Sequence, residues 1–167
     1  NLDIINKHLI LDNCDTLIHE AIHILQRQNQ KYLNSIYPDV FGCKQINNLV
    51  ITQQWLEKKM SNPDGLNINW VYEYNQSYYL PLLIFNDINR SVKQIIIQLL
   101  YKNGKYYTNN KSMNIYRFPP FKKYPRNISL YHPNEIMAYV LPKLILKTQK
   151  IKHWPKINIL LNFLKNI

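Results

Sequence analysis

Between Leu66 and Thr108 the chain is dense in β-branched, aromatic and aliphatic residues, and turn residues cut it at hairpin spacing. Ile68, Trp70, Val71, Tyr72 and Tyr74 lie on one side of the break Asn75-Gln76-Ser77; Tyr78, Tyr79, Leu80, Leu82 and Ile84 lie on the other. This spacing predicts a hairpin from Leu66 to Phe85, introduced by the turn Asn62-Pro63-Asp64-Gly65. Val92 to Tyr101 and Lys105 to Thr108 predict a second hairpin. The Asn103-Gly104 between them is the preferred pair for a two-residue primed turn. Residues 62–112 are therefore expected to form a small, mainly antiparallel sheet.

The flanks have a different period. A short apolar run at Leu9 to Leu11 reads as a strand, followed by a helix capped by Asp15 and running to about Gln28. Its residues Leu17, Ile18, Ala21, Ile22, Ile24 and Leu25 wrap much of the circumference, which suits a buried helix. Further helical stretches are expected over Lys31 to Ile36, ending before Pro38, and after Thr52, where Trp55, Leu56 and Met60 share a face. Pro119, Pro120 and Pro125 predict an extended surface segment. A helix should then start near Pro133 and kink or end at Pro142, and a last amphipathic helix should carry Ile157, Leu160, Leu161, Leu164 and Ile167. Helices around one sheet, in 167 residues of which 46% are hydrophobic, predict a single α+β domain over 1–167. Residues 1–61 are expected to be mainly helical, and 113–167 to hold a loop and two helices.

No apolar run approaches the roughly 20 residues of a membrane span, and nothing reads as an export signal, so a soluble, intracellular protein is expected. Two cysteines, Cys14 and Cys43, are too few for a disulfide scaffold or a cysteine-built zinc site. The formal charge of +11 would suit a nucleic-acid partner. However, Lys supplies 17 of the 21 basic residues, whereas phosphate and base recognition favours Arg. The excess of Asn (22) and Ile (23) fits compositional bias, so nucleic acid is not the favoured partner. The lysines at 143, 147, 150, 152 and 156 read first as a solvated face.

The chemistry concentrates in His19-Glu20-Ala21-Ile22-His23. Residues four apart on a helix lie one above the other, so both imidazoles can reach a single ion at the zinc–nitrogen distance of about 2.0 Å. Glu20, one residue step away around the helix, is placed to flank such an ion and to move a proton from water to a leaving group. A zinc site needs a third protein ligand. The remaining glutamates are Glu57, Glu73 and Glu135.

Glu135 lies in Asn134-Glu135-Ile136-Met137-Ala138, which resembles the N-E-x-x-A element of gluzincin metallopeptidases. Together with Asp15-Thr16-Leu17-Ile18 before the first motif and Ile24-Leu25-Gln26-Arg27 after it, the chain looks like small gluzincin-type proteases encoded by large DNA viruses. The resemblance implies a zincin-like fold in which the active-site helix and the third-ligand helix pack with the sheet. It implies Zn2+ held by His19, His23 and Glu135, with Glu20 as general base. The Met-turn branch of the zincins is excluded, because Gln26 and Asn29 stand where its helix continues with Gly and His. The chain departs from thermolysin-like enzymes in two ways. A whole sheet separates the two motifs, and Tyr139 replaces the Asp that supports a zinc-bound histidine, leaving that support to Asp15 or Asn134.

Tyr131, His132 and Tyr139 are candidates to stabilise an oxyanion, with Tyr139, one turn beyond Glu135, favoured. The first hairpin is a candidate edge for an extended peptide substrate. The expected function is zinc-dependent hydrolysis of an amide bond in a peptide or protein. The alternatives are a catalytically silent assembly protein, for instance in a virion with other virion proteins as partners, and a basic nucleic-acid binder.

Overall fold

A computed structural model describes residues 2–61, 69–86, 90–126, 128–146 and 156–165. The protein is mixed α+β; the described residues form five α-helices and one six-stranded sheet: α1 (Leu2–Gln28), α2 (Gln30–Phe41), β1 (Cys43–Gln45), β2 (Leu49–Val50), α3 (Gln53–Leu56), β3 (Trp70–Tyr74), β4 (Ser77–Asn86), β5 (Ser91–Lys102), β6 (Lys105–Asn114), α4 (Pro133–Ile145) and α5 (Ile157–Lys165).

Both expected hairpins form. Tyr74 pairs with Ser77 across Asn75 and Gln76, whose φ angles are 47° and 59°. Lys102 pairs with Lys105 across Asn103 and Gly104, at 52° and 75°. Positive φ at both central residues is the turn whose twist matches that of the flanking strands. The introducing turn at 62–65 lies outside the described residues.

The strand order β1-β3-β4-β5-β6-β2 corrects the expected peptide-binding edge. The β3/β4 hairpin is interior, because β1 pairs antiparallel with β3. On the far side β2 runs parallel to β6. Strands of three and two residues are too short to show alternation, so the region before 62 reads as helical in sequence although it supplies both edges of the sheet.

Alternate residues serve opposite faces. Trp70, Tyr72 and Ile96 join Ile115, Phe118, Phe121, Ile128 and Leu130 in one core with α4. Val71, Ile95 and Ile97 join Leu80, Leu82, Ile84, Ile46 and Trp55 in the other. The Trp55 indole N–H donates to the Asn109 carbonyl at 2.8 Å and holds α3 there.

Several helical expectations change. Leu9 to Leu11 is helix and not strand, and Asp15 lies inside α1 and caps nothing. Asn and Asp cost a helix only tenths of a kcal/mol each, less than interrupting a long hydrogen-bonded ladder. Nor is α1 buried all round. Ile22, His23 and Gln26 are buried, but Leu17 is 70% exposed and Ile24 50%, because its neighbours cover a single side. Helix α2 continues past Pro38 to Phe41 and stops at Gly42, whose φ of 69° suits a left-handed cap. Helix α4 likewise runs three residues beyond Pro142. The proline-rich segment is not an extended surface strip. It forms two 3-10 turns, Ile115–Arg117 and Pro119–Phe121, with prolines outward and Phe118, Phe121 and Tyr124 buried.

The C-terminal helix forms as expected; Phe163 stacks on Tyr32 with ring centres 5.4 Å apart. Among the described residues no helix is long and apolar enough to cross a membrane.

Candidate metal centre

Helix α4 begins where the chain before it is held extended. His132 has φ −144° and ψ 140°, and its Nδ1 accepts the Asn134 N–H at 3.1 Å; Pro133 follows at the first helical position. This start places Asn134 beside Gln26, Glu135 beside His23 and, two turns on, Lys143 beside Asp15. Rising positions on α4 meet falling positions on α1, so the two helices pack antiparallel. The one-turn spacing of His19 and His23 faces the first turn of α4.

His19, His23 and Glu135 each offer one ligand atom, and these atoms lie within 4.8 Å of one another. The His23 Nε2 is 3.0 Å from His19 Nε2 and 3.7 Å from Glu135 Oε1. Bonds of 2.0–2.1 Å in a tetrahedron give ligand–ligand edges of roughly 3.3 Å; the two edges at His23 lie on either side of that, and the His19–Glu135 edge is bounded by 4.8 Å. The imidazoles cross edge-to-face at 83°, with their Nε2 atoms facing each other. Glu135 and His23 are only 7% and 3% exposed. A carboxylate buried beside two imidazoles is a nitrogen-and-oxygen donor set of the kind that borderline divalent cations bind. The donor set therefore fits zinc: two neutral nitrogens, one carboxylate and room for a fourth partner.

Beside His19 lies a cleft of about 310 Å³, lined also by Asp15, Thr16, Ala138, Tyr139, Pro142 and Lys143. Tyr139 lies in its wall. The Lys143 ammonium sits 4.6 Å above the Tyr139 ring. Glu20 is exposed and is not among the lining residues; it lies one turn beyond Thr16 on α1. Tyr131 is half-buried and lines a different depression, with Gln94 and Tyr116. His132 is buried as the helix cap. Burial, with His23 nearby, lowers its pKa from 6.5 to about 4, so it is neutral at ordinary pH.

Two residues in the surroundings carry no motif. Gln26 accepts from His23 Nδ1 at 2.8 Å and donates to the Asn134 carbonyl at 2.9 Å. Tyr37 donates to Asn134 Oδ1 at 2.7 Å. His23 is thus held by Gln26, with Asn134 one step further out, while Asp15 pairs with Lys143 at 2.7 Å. The spacing of Gln26, three residues after His23 on one helix face, was the available signal.

Of the lysines read as a solvated face, Lys143 is largely buried by its pairing and Lys156 is exposed beside Asp39 at 3.3 Å. Lys147, Lys150 and Lys152 lie outside the described residues. Comparison with protein-family models, curated proteins and solved structures finds no match for this chain.

Proposed function

We propose that this chain is a zinc-dependent metallohydrolase of the gluzincin type, with a zincin-like arrangement, that cleaves an amide bond in a peptide or protein. One observation carries the reading: ligand atoms of His19 and His23, on one helix, and of Glu135, over a hundred residues away, lie within 4.8 Å of one another, and His19 also lines a cleft. Zinc in such a site supplies Lewis acidity, polarising a carbonyl and lowering the pKa of water. Glu20 takes the proton of the attacking water and returns it to the departing amine. Tyr139 donates its hydroxyl hydrogen to the oxygen on which negative charge develops. His19 and His23 remain neutral ligands, and Glu135 contributes the compensating negative charge.

Metal analysis of the purified chain, with Glu20→Gln and Glu135→Ala variants assayed on a mixed peptide library, tests this. Glu20→Gln should keep zinc and lose hydrolysis, and Glu135→Ala should weaken zinc itself. Full zinc affinity in Glu135→Ala removes that residue from the site.

A specific observation favours a second reading, a silent assembly protein such as a virion component. Lys143 and Tyr139 stack across the cleft wall, and Glu20 is exposed outside the lining. Zinc binding without turnover of any peptide in the library selects that reading.

A further inference from the structure

We propose that Gln26 is a positioning residue. It sets the tautomer of His23 so that the unprotonated Nε2 faces His19 and Glu135, and it ties that choice to the placement of the Glu135 helix. The claim about the free protein stands on hydrogen-bond chemistry alone; its consequence for zinc rests on the metal-centre reading above.

A backbone carbonyl can only accept a hydrogen bond. The Asn134 oxygen lies 2.9 Å from one end of the Gln26 side-chain amide, so that end is the NH2 group. The opposite end, 2.8 Å from His23 Nδ1, is then the amide oxygen, and it too can only accept. His23 Nδ1 must therefore carry the hydrogen, and the other ring nitrogen of the neutral imidazole is left with its lone pair. That nitrogen is the one 3.0 Å from His19 and 3.7 Å from Glu135. Reversing the amide would set oxygen against oxygen at Asn134, in a place where Gln26 is 2% exposed and water cannot take over the lost bond. An unconstrained neutral histidine side chain prefers its hydrogen on Nε2, so the amide holds His23 in the less common form, the one that a metal bound at Nε2 would require.

The same amide couples the helices. Asn134 immediately precedes Glu135, and its side chain is held from the other direction by Tyr37 at 2.7 Å. A shift of α4 that moved Glu135 would break the bond to Gln26 and release the His23 tautomer. The carboxylate that supports a ligand histidine in thermolysin-like enzymes is here replaced by a neutral amide, so the centre keeps more of the cation's positive charge.

The test reads histidine tautomers by long-range proton–nitrogen NMR on metal-free, 15N-histidine-labelled protein at mildly alkaline pH, where imidazoles are neutral. The expected result is His23 protonated on Nδ1. In Gln26→Met, checked for an intact fold by its backbone amide spectrum, the hydrogen should move largely to Nε2 and zinc affinity should fall about 10- to 100-fold. Wild-type His23 protonated on Nε2 overturns the proposal without any variant. So does a folded Gln26→Met protein with unchanged tautomer and zinc affinity. A wild type that binds no zinc but shows the Nδ1 hydrogen removes the hydrolase reading and leaves the role of Gln26 supported.

Discussion

Lys143 on α4 holds its ammonium 2.7 Å from Asp15 Oδ2 on α1, so a single cation joins the two helices at the mouth of the cleft beside His19. Burial alone would lower the Lys143 pKa, but the bond to Asp15 and the adjacent Tyr139 outweigh it, and the group titrates above its usual value. Both side chains are less than a third exposed, at 15% and 26%, and the second carboxylate oxygen of Asp15 is buried without a partner. Lys143→Met would leave that carboxylate unpaired and should cost about 1–3 kcal/mol in urea unfolding, with part recovered in the Lys143→Met/Asp15→Asn double variant. A Lys143→Met protein as stable as the wild type shows that the pair contributes nothing.

His132 makes stability depend on pH. Its folded pKa of about 4 lies below the ordinary 6.5, so the unfolded chain takes up a proton that the folded chain refuses between those values. Stability contributed by this group is complete above about 6.5 and falls as pH drops toward about 4, by roughly 3 kcal/mol in total. His132→Asn keeps a capping acceptor for α4 and should flatten this part of the curve, measured by denaturant unfolding across the window. An equally steep curve in the variant assigns the slope to other groups.

Zinc binding to the folded state alone should raise the melting temperature. At a free concentration about 100 times Kd the gain is about 2.7 kcal/mol, which for a chain of this size is a shift of roughly 5–10 °C, reversed by a chelator. His23→Ala should abolish the shift, since it removes the central ligand of the cluster. An identical zinc-induced shift in that variant would place the metal elsewhere.

Tyr37 holds Asn134 from below, and its burial pushes the phenol pKa far up, so the hydroxyl remains a donor. Tyr37→Phe leaves the buried Asn134 oxygen without this donor and should cost about 1–2 kcal/mol. It should also weaken zinc, because the first turn of α4 carries both Asn134 and Glu135. Loss of stability with unchanged zinc affinity would show that the bond is structural only.

Reading the sequence succeeded where the information is local. Asn103-Gly104 specifies a turn through the positive φ its residues tolerate, as Asn75 does in the first hairpin, and Pro133 marks a helix start through a ring that needs no hydrogen bond; that His132 caps this helix was not foreseen. It failed where contacts far along the chain outweigh local preference. Nothing in Cys43–Gln45 or Leu49–Val50 announces a strand; those residues are strands because β3 and β6 offer unpaired edges. The aromatic residues between Pro119 and Pro125 are buried because the sheet face opposite them is aromatic as well: Tyr72 meets Phe121 at 4.6 Å and Tyr79 meets Phe118 at 4.8 Å.

The candidate site divides along the same line. The one-turn spacing of His19 and His23 follows from helix periodicity and is visible in the residue order alone. That Glu135, and not Glu57 or Glu73, meets them depends on antiparallel packing of α1 against α4, a relation between segments more than a hundred residues apart. Gln26 was hidden for the same reason. A glutamine on a helix is usually solvated, and its role here comes from a carbonyl on the other helix that fixes which way its amide points.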